Sequence, residues 1–253
     1  MTRIARAVAA LAAICACMGA RAASEEIQVY TDTLSQPGGV GMDIHHNFVA
    51  SGSNAPEYPG GRPPLHVYRA TPEFYYGISP TLELGLYVLG AAAQSQSGID
   101  GAKVRLKYIA PHDVERGGYW GANLEIGRTR LRASEVPWNT EFKAIFGYRA
   151  APWEFAFNAN FGWAGAGVMN SPVSLSVSSK AAYRLKSGTQ IGVESYNELG
   201  LVRSLGGLSR QSQVLYFVVD TEIGKMDLNA GIGRGLTNAS DRWTIKLITG
   251  FEF

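Results

Sequence analysis

Strict alternation of apolar and polar residues, repeated along most of the chain, limits this sequence to very few folds. Successive side chains of a strand point to opposite faces, so a period of two marks an extended segment with one apolar and one polar side. Trp153, Phe155, Phe157, Ala159, Phe161 and Trp163 share one face, with Glu154, Ala156, Asn158, Asn160 and Gly162 on the other. The preceding segment sets Trp138, Thr140, Phe142, Ala144, Phe146 and Tyr148 against Asn139, Glu141, Lys143, Gly147 and Arg149. Twelve segments follow this pattern, at 40–51, 65–78, 81–92, 99–110, 118–130, 138–149, 153–165, 172–186, 188–199, 211–224, 226–236 and 241–253.

A soluble sandwich would alternate in the same way with its apolar face inside. The aromatic spacing separates the two. Trp138 and Tyr148, Trp153 and Trp163, and Trp243 and Phe253 each stand ten residues apart on one face. At ~3.3 Å per residue and a tilt near 40°, ten residues climb roughly 25 Å, the height of a lipid-facing band between two aromatic girdles. The expected fold is all-β, a transmembrane antiparallel up-and-down β-barrel of about 12 strands over residues 40–253.

Connection lengths support it. Ser79-Pro80, Ala151-Pro152, Ser187-Gly188 and Gly224-Lys225 are tight, with His112–Gly117 the longer member of that set. Between them run Gly52–Pro64, Gln94–Ser97, Leu131–Pro137, Ala166–Ser171 and Leu201–Arg210, and the shorter Asn238–Asp241. Tight turns on the periplasmic side and long loops outside are the outer-membrane arrangement. Strand parity then excludes Ile27–Thr33 from the wall, so residues 23–39 are expected to form a periplasmic or lumen-inserted segment.

The first residues read as a leader for export. Arg3 and Arg6 precede an apolar run from Ala7 to Ala20, too short to span a bilayer as a helix, and Ala20 and Ala22 suit a signal peptidase. Residues 1–22 are therefore expected to be a cleaved signal peptide. Cleavage removes Arg3, Arg6 and Arg21 from a formal charge of +2, leaving −1, which gives no reason to expect nucleic-acid binding. Cys15 and Cys17 leave with the leader, and neither sits in a good lipidation context.

The chain ends on Trp243, Ile245, Leu247, Thr249, Phe251 and Phe253 at alternate positions. This resembles the C-terminal signature that the outer-membrane assembly machinery recognises, with Thr249 departing from the usual apolar residue. The resemblance implies outer-membrane localisation, with that machinery and outer-membrane lipid as partners. Glu26-Ile27-Gln28-Val29-Tyr30 and then Asp43-Ile44-His45-His46-Asn47 resemble the opening of uncharacterised proteobacterial outer-membrane proteins loosely grouped with phenol-pathway (MetA-type) transporters. That likeness covers about the first quarter of the mature chain, implies a transport role and assigns no functional residue.

The inward faces collect charge. Basic candidates for lining the lumen are Arg69, Lys103, Arg105, Lys107, Lys143, Arg149, Lys180, Arg184, Arg242 and Lys246. Acidic ones are Asp43, Glu73, Glu83, Glu125, Glu141, Glu154, Glu194, Asp220, Glu222 and Glu252. These define either a pore for small solutes or a filled interior in which the charges pair across strands; twelve strands lie between the filled and the channel-forming sizes. Lys103, Arg105 and Lys107, on alternate positions, would attract small anions unless Glu83 and Glu125 neutralise them. A channel for passive or selective passage of small solutes is the leading expectation, and a plugged structural or surface-interaction barrel the alternative.

A third alternative, an outer-membrane lipid hydrolase, has little support. The histidines are His45, His46, His66 and His112, no Gly-x-Ser-x-Gly elbow occurs, and an outward His46 reads as interfacial packing. Gly231-Ile232-Gly233-Arg234-Gly235 lies in a strand segment, so its glycines read as room in the lumen and no cofactor is expected. No Cys/His/Asp cluster has metal-ligand spacing.

Overall fold

The computed structural model describes residues 26–94, 96–165 and 171–253; the leader read at residues 1–22 lies outside them. The fold is a closed antiparallel barrel of twelve wall strands. They are β1 (Val40–Ser51), β2 (Tyr68–Ser79), β3 (Leu82–Ala92), β4 (Gly98–Ile109), β5 (Gly117–Thr129), β6 (Trp138–Ala150), β7 (Trp153–Ala164), β8 (Ser174–Arg184), β9 (Gln190–Leu201), β11 (Gln213–Ile223), β12 (Met226–Gly235) and β13 (Trp243–Glu252). A two-residue strand, β10 (Ser204–Leu205), folds back on the end of β9 and is followed by a 3-10 turn at Leu208–Arg210. Neighbours in sequence pair throughout the wall, and β13 returns to β1 with Ile44 opposite Thr249 and Asn47 opposite Lys246.

The two faces are inverted relative to a soluble protein. Leu84, Leu86, Val104, Leu106, Phe146, Phe155, Phe157, Phe217 and Ile245 point outward and are exposed, whereas Glu73, Arg105, Lys107, Asn158, Glu194 and Lys246 on the opposite faces are buried. Lipid supplies the outer faces with the apolar contact that water cannot. Trp138, Trp163 and Trp243 stand at the loop ends of their strands, and Tyr148, Trp153 and Phe253 at the turn ends. These aromatics therefore stand at opposite ends of their strands.

Several boundaries differ from the periodicity by one or two residues, and one by three. The segment expected to begin at 65 enters the sheet only at Tyr68. His66 has φ +58, and the Val67 amide donates to Pro64 O at 3.3 Å, so residues after the Pro63-Pro64 pair form a turn before the ladder begins.

Residues 26–39 belong to no strand and run inside the barrel. They enter at the turn end, where Gly38 N donates to Gly77 O (2.8 Å) and Gly77 N to Gly39 O (3.0 Å). A Cβ at Gly77 would lie 2.2 Å from Gln36 O, so only glycine lets the segment cross the wall this closely. Beyond the crossing, the buried core of the molecule sits in the lumen. Tyr30 and Leu34 pack with Ile109, Tyr119 and Ile145, and Ile27 packs with Tyr216 and Val218.

Candidate functional site

A segment threaded through a barrel without joining its sheet must find partners for its backbone elsewhere, because unpaired buried amides and carbonyls are costly. Side chains of the wall take that role. Asn158 of β7 clamps Tyr30 twice: its amide nitrogen donates to Tyr30 O (2.9 Å) and its oxygen accepts from Tyr30 N (2.7 Å). Lys107 Nζ of β4 donates to Thr33 O (2.7 Å), Lys246 Nζ of β13 to Ile27 O (3.1 Å), and Ser35 N donates to Glu83 Oε2 of β3 (2.6 Å).

Tyr30 is the centre of this arrangement. Its hydroxyl bonds that of Tyr87 at 2.7 Å. Lys143 Nζ lies 3.8 Å from its ring centre, Lys107 Nζ 5.0 Å and the Arg105 guanidinium 5.7 Å, so three wall cations converge on one π system. Burial, reinforced by the carboxylates of Glu26, Glu125 and Glu73, holds the phenol well above its ordinary pKa, so it remains neutral. Nearer the entrance, Asp32 bonds both terminal nitrogens of Arg149, and His112 Nε2 lies 2.6 Å from Asp32 Oδ2. Burial pushes the Asp32 carboxyl up, but the hydrogen bonds from Arg149 and His112 outweigh it and leave it below the usual carboxylate range.

The inward charges pair with one another. Arg105 Nη2 contacts both Glu73 Oε1 and Glu83 Oε1 at 2.6 Å. Lys246 pairs with Glu194, which also accepts from Tyr196 OH at 2.6 Å. Lys180 meets Asp220 at 2.9 Å, Arg149 meets Glu154 at 2.8 Å and Lys143 meets Glu141 at 3.4 Å. Glu125 accepts from Asn123 (2.8 Å), and Arg69 and Lys103 also have partners. Of the ladder Lys103, Arg105 and Lys107, then, the middle residue is neutralised by Glu73 and Glu83 and the last is turned to the inserted segment. Arg184, Glu222 and Arg242, near the ends of the barrel, are exposed.

At the loop end a second closure forms. Arg62, from the long connection after β1, is buried against Asp100 of β4 (2.6 and 2.9 Å), and Arg132 Nε bonds the same carboxylate at 2.5 Å. Beneath them is a cavity of about 10 Å³, lined by Arg62, Arg69, Thr71, Leu89, Gly90, Asp100, Arg132 and Ala133, room for about one water molecule.

Several of these residues carried no sequence signal. Asn158 and His45 lie on inward faces by parity, but nothing local marks them as anchors. Glu26, Tyr30 and Asp32 lie in or beside the strand-like Ile27–Thr33, whose pattern names no partners. Sequence spacing offered no metal cluster, yet the fold brings Glu26, His45 and Glu73 together, with one potential ligand atom of each within 4.8 Å of the others. Gly233 is legible in retrospect: a Cβ there would lie 2.4 Å from the Tyr216 ring, so the glycine-rich β12 makes room for an inward tyrosine.

No family model and no curated protein matches the sequence. Among solved structures, the chain is similar to the COG4313 outer membrane channel from Pseudomonas putida F1, with a TM-score of 0.62 and 13% identity over 90% of this chain and 100% of that one. It is also similar to the NanC porin, with a TM-score of 0.57 and 9% identity over 84% of this chain and 100% of that one. The fold is that of bacterial outer-membrane barrels. At these identities the likeness concerns the fold alone.

Proposed function

We propose that the protein is a non-enzymatic outer-membrane channel for small solutes, and that residues 26–39 are its displaceable plug. The carrying observation is the way the lumen is filled. The inserted segment adds no strand to the wall, and before its backbone bonds to Gly77 at the entrance it is held by individual side-chain bonds, from Asn158, Lys107, Lys246, Glu83 and Arg149. Such contacts can be released one by one while the strand ladder stays whole. The space vacated would be lined by charged and amide groups, suited to polar solutes. The shared architecture with a channel and a porin supports this reading, as does the resemblance of the N-terminal residues to outer-membrane proteins loosely grouped with phenol-pathway transporters.

Conductance of the purified barrel in planar bilayers tests it. The intact chain is expected to show small or rare steps, and a variant lacking residues 24–36 larger and frequent ones. If both stay silent while their heat-modifiable migration on gels shows folded barrels, the channel reading fails. A plugged barrel acting through its loops would then stand, with the buried Arg62–Asp100–Arg132 closure as its structural basis.

A further inference from the structure

We propose that Glu26, His45 and Glu73 form a site for a first-row divalent cation, with zinc the best match, that clips the inserted segment to the barrel wall. The three come from different parts of the chain: Glu26 from the lumenal segment, His45 from β1 and Glu73 from β2, directly across the ladder from Asp43. One ligand atom of each lies within 4.8 Å of the others, and His45 Nε2 is already 3.2 Å from Glu73 Oε2. Tetrahedral zinc, with bonds of about 2.0–2.2 Å, holds neighbouring ligand atoms roughly 3.3 Å apart. The His45–Glu73 edge has that length, and closing the rest takes a small movement of Glu26, which no strand restrains.

Two further observations point to a ligand. His45 is fully buried and Glu73 is 2% exposed, yet His45 Nδ1 and Glu26 Oε1 are buried without hydrogen-bond partners. Buried polar atoms left unmet are rare unless something else binds them. The surroundings also suit a metal. Arg105 contacts the other oxygen of Glu73 at 2.6 Å, which orients that carboxylate as an outer-shell partner does. Two carboxylates and a neutral imidazole balance a dication, and the imidazole favours zinc-like ions over magnesium or calcium. A proton on His45 is the competing way to meet the same charge.

The test uses the full mature chain in detergent, stripped with a chelator and titrated with zinc by calorimetry. Unfolding temperature and hydrogen exchange of residues 26–39 are followed in parallel. One zinc per chain is expected, with a raised unfolding temperature and slower exchange in the segment. Glu26→Gln and His45→Gln should each weaken binding roughly 100-fold, at least the loss seen for outer-shell changes. Glu26 lies outside the wall, so its variant reports even if His45→Gln does not fold. Absence of zinc binding overturns the proposal and leaves the proton in that place. Binding that Glu26→Gln leaves intact overturns it too, because the ion would then not join segment to wall.

Discussion

Single residues in this lumen matter through the charges they leave behind. Arg105 stands between Glu73 and Glu83, and all three are buried. Arg105→Gln would leave two carboxylates without their cation, and breaking a buried pair in this way costs about 3–5 kcal/mol. A clear drop in unfolding temperature is expected, and a variant as stable as the parent would contradict the pairing. Asp32 acts differently. Its carboxyl is held below the ordinary value in the folded chain, so its contribution is complete above that value and disappears as pH falls through the lower, folded one. The Asp32–Arg149 anchor at the entrance should thus hold above about pH 4 and weaken below it. Hydrogen exchange across residues 26–39 reads this directly, and Asp32→Asn should remove the acid-dependent part.

At the scale of elements, β7 carries the membrane argument most plainly. Phe157 lies midway between Trp153 and Trp163 on the outward face, 43% exposed where lipid would cover it. Phe157→Arg should destabilise the barrel by ~2–4 kcal/mol, the cost of that charge near the midplane. Denaturant unfolding in lipid vesicles measures it, and a tolerated arginine would mean the face is not in lipid. The wall was legible because each strand repeats one local rule: Trp153 to Trp163 can be oriented from eleven residues alone. The segment before β1 obeys no such rule. Tyr30 is anchored by Asn158, 128 positions away, and Ile27 by Lys246, 219 away. Contacts this distant leave no periodic trace, which is why the lumen could be given its charges from sequence but not their partners.

For the molecule as a whole, the inside is organised from both ends. Residues 26–39 enter past Gly77 at the turn end, and Arg62, Asp100 and Arg132 meet at the loop end. The wall between them closes only where β13 meets β1. These are the first and last strands to be synthesised, so the seam is the most sequence-distant pairing in the wall and among the last that loop-closure entropy allows. Until it forms, both strands are bare edges whose free amides and carbonyls invite pairing with other chains. A chain stopped anywhere before Trp243 therefore yields no smaller barrel. It leaves an open sheet lacking Lys246, the partner of Glu194 and of Ile27, so the outer closure and the inner packing fail together.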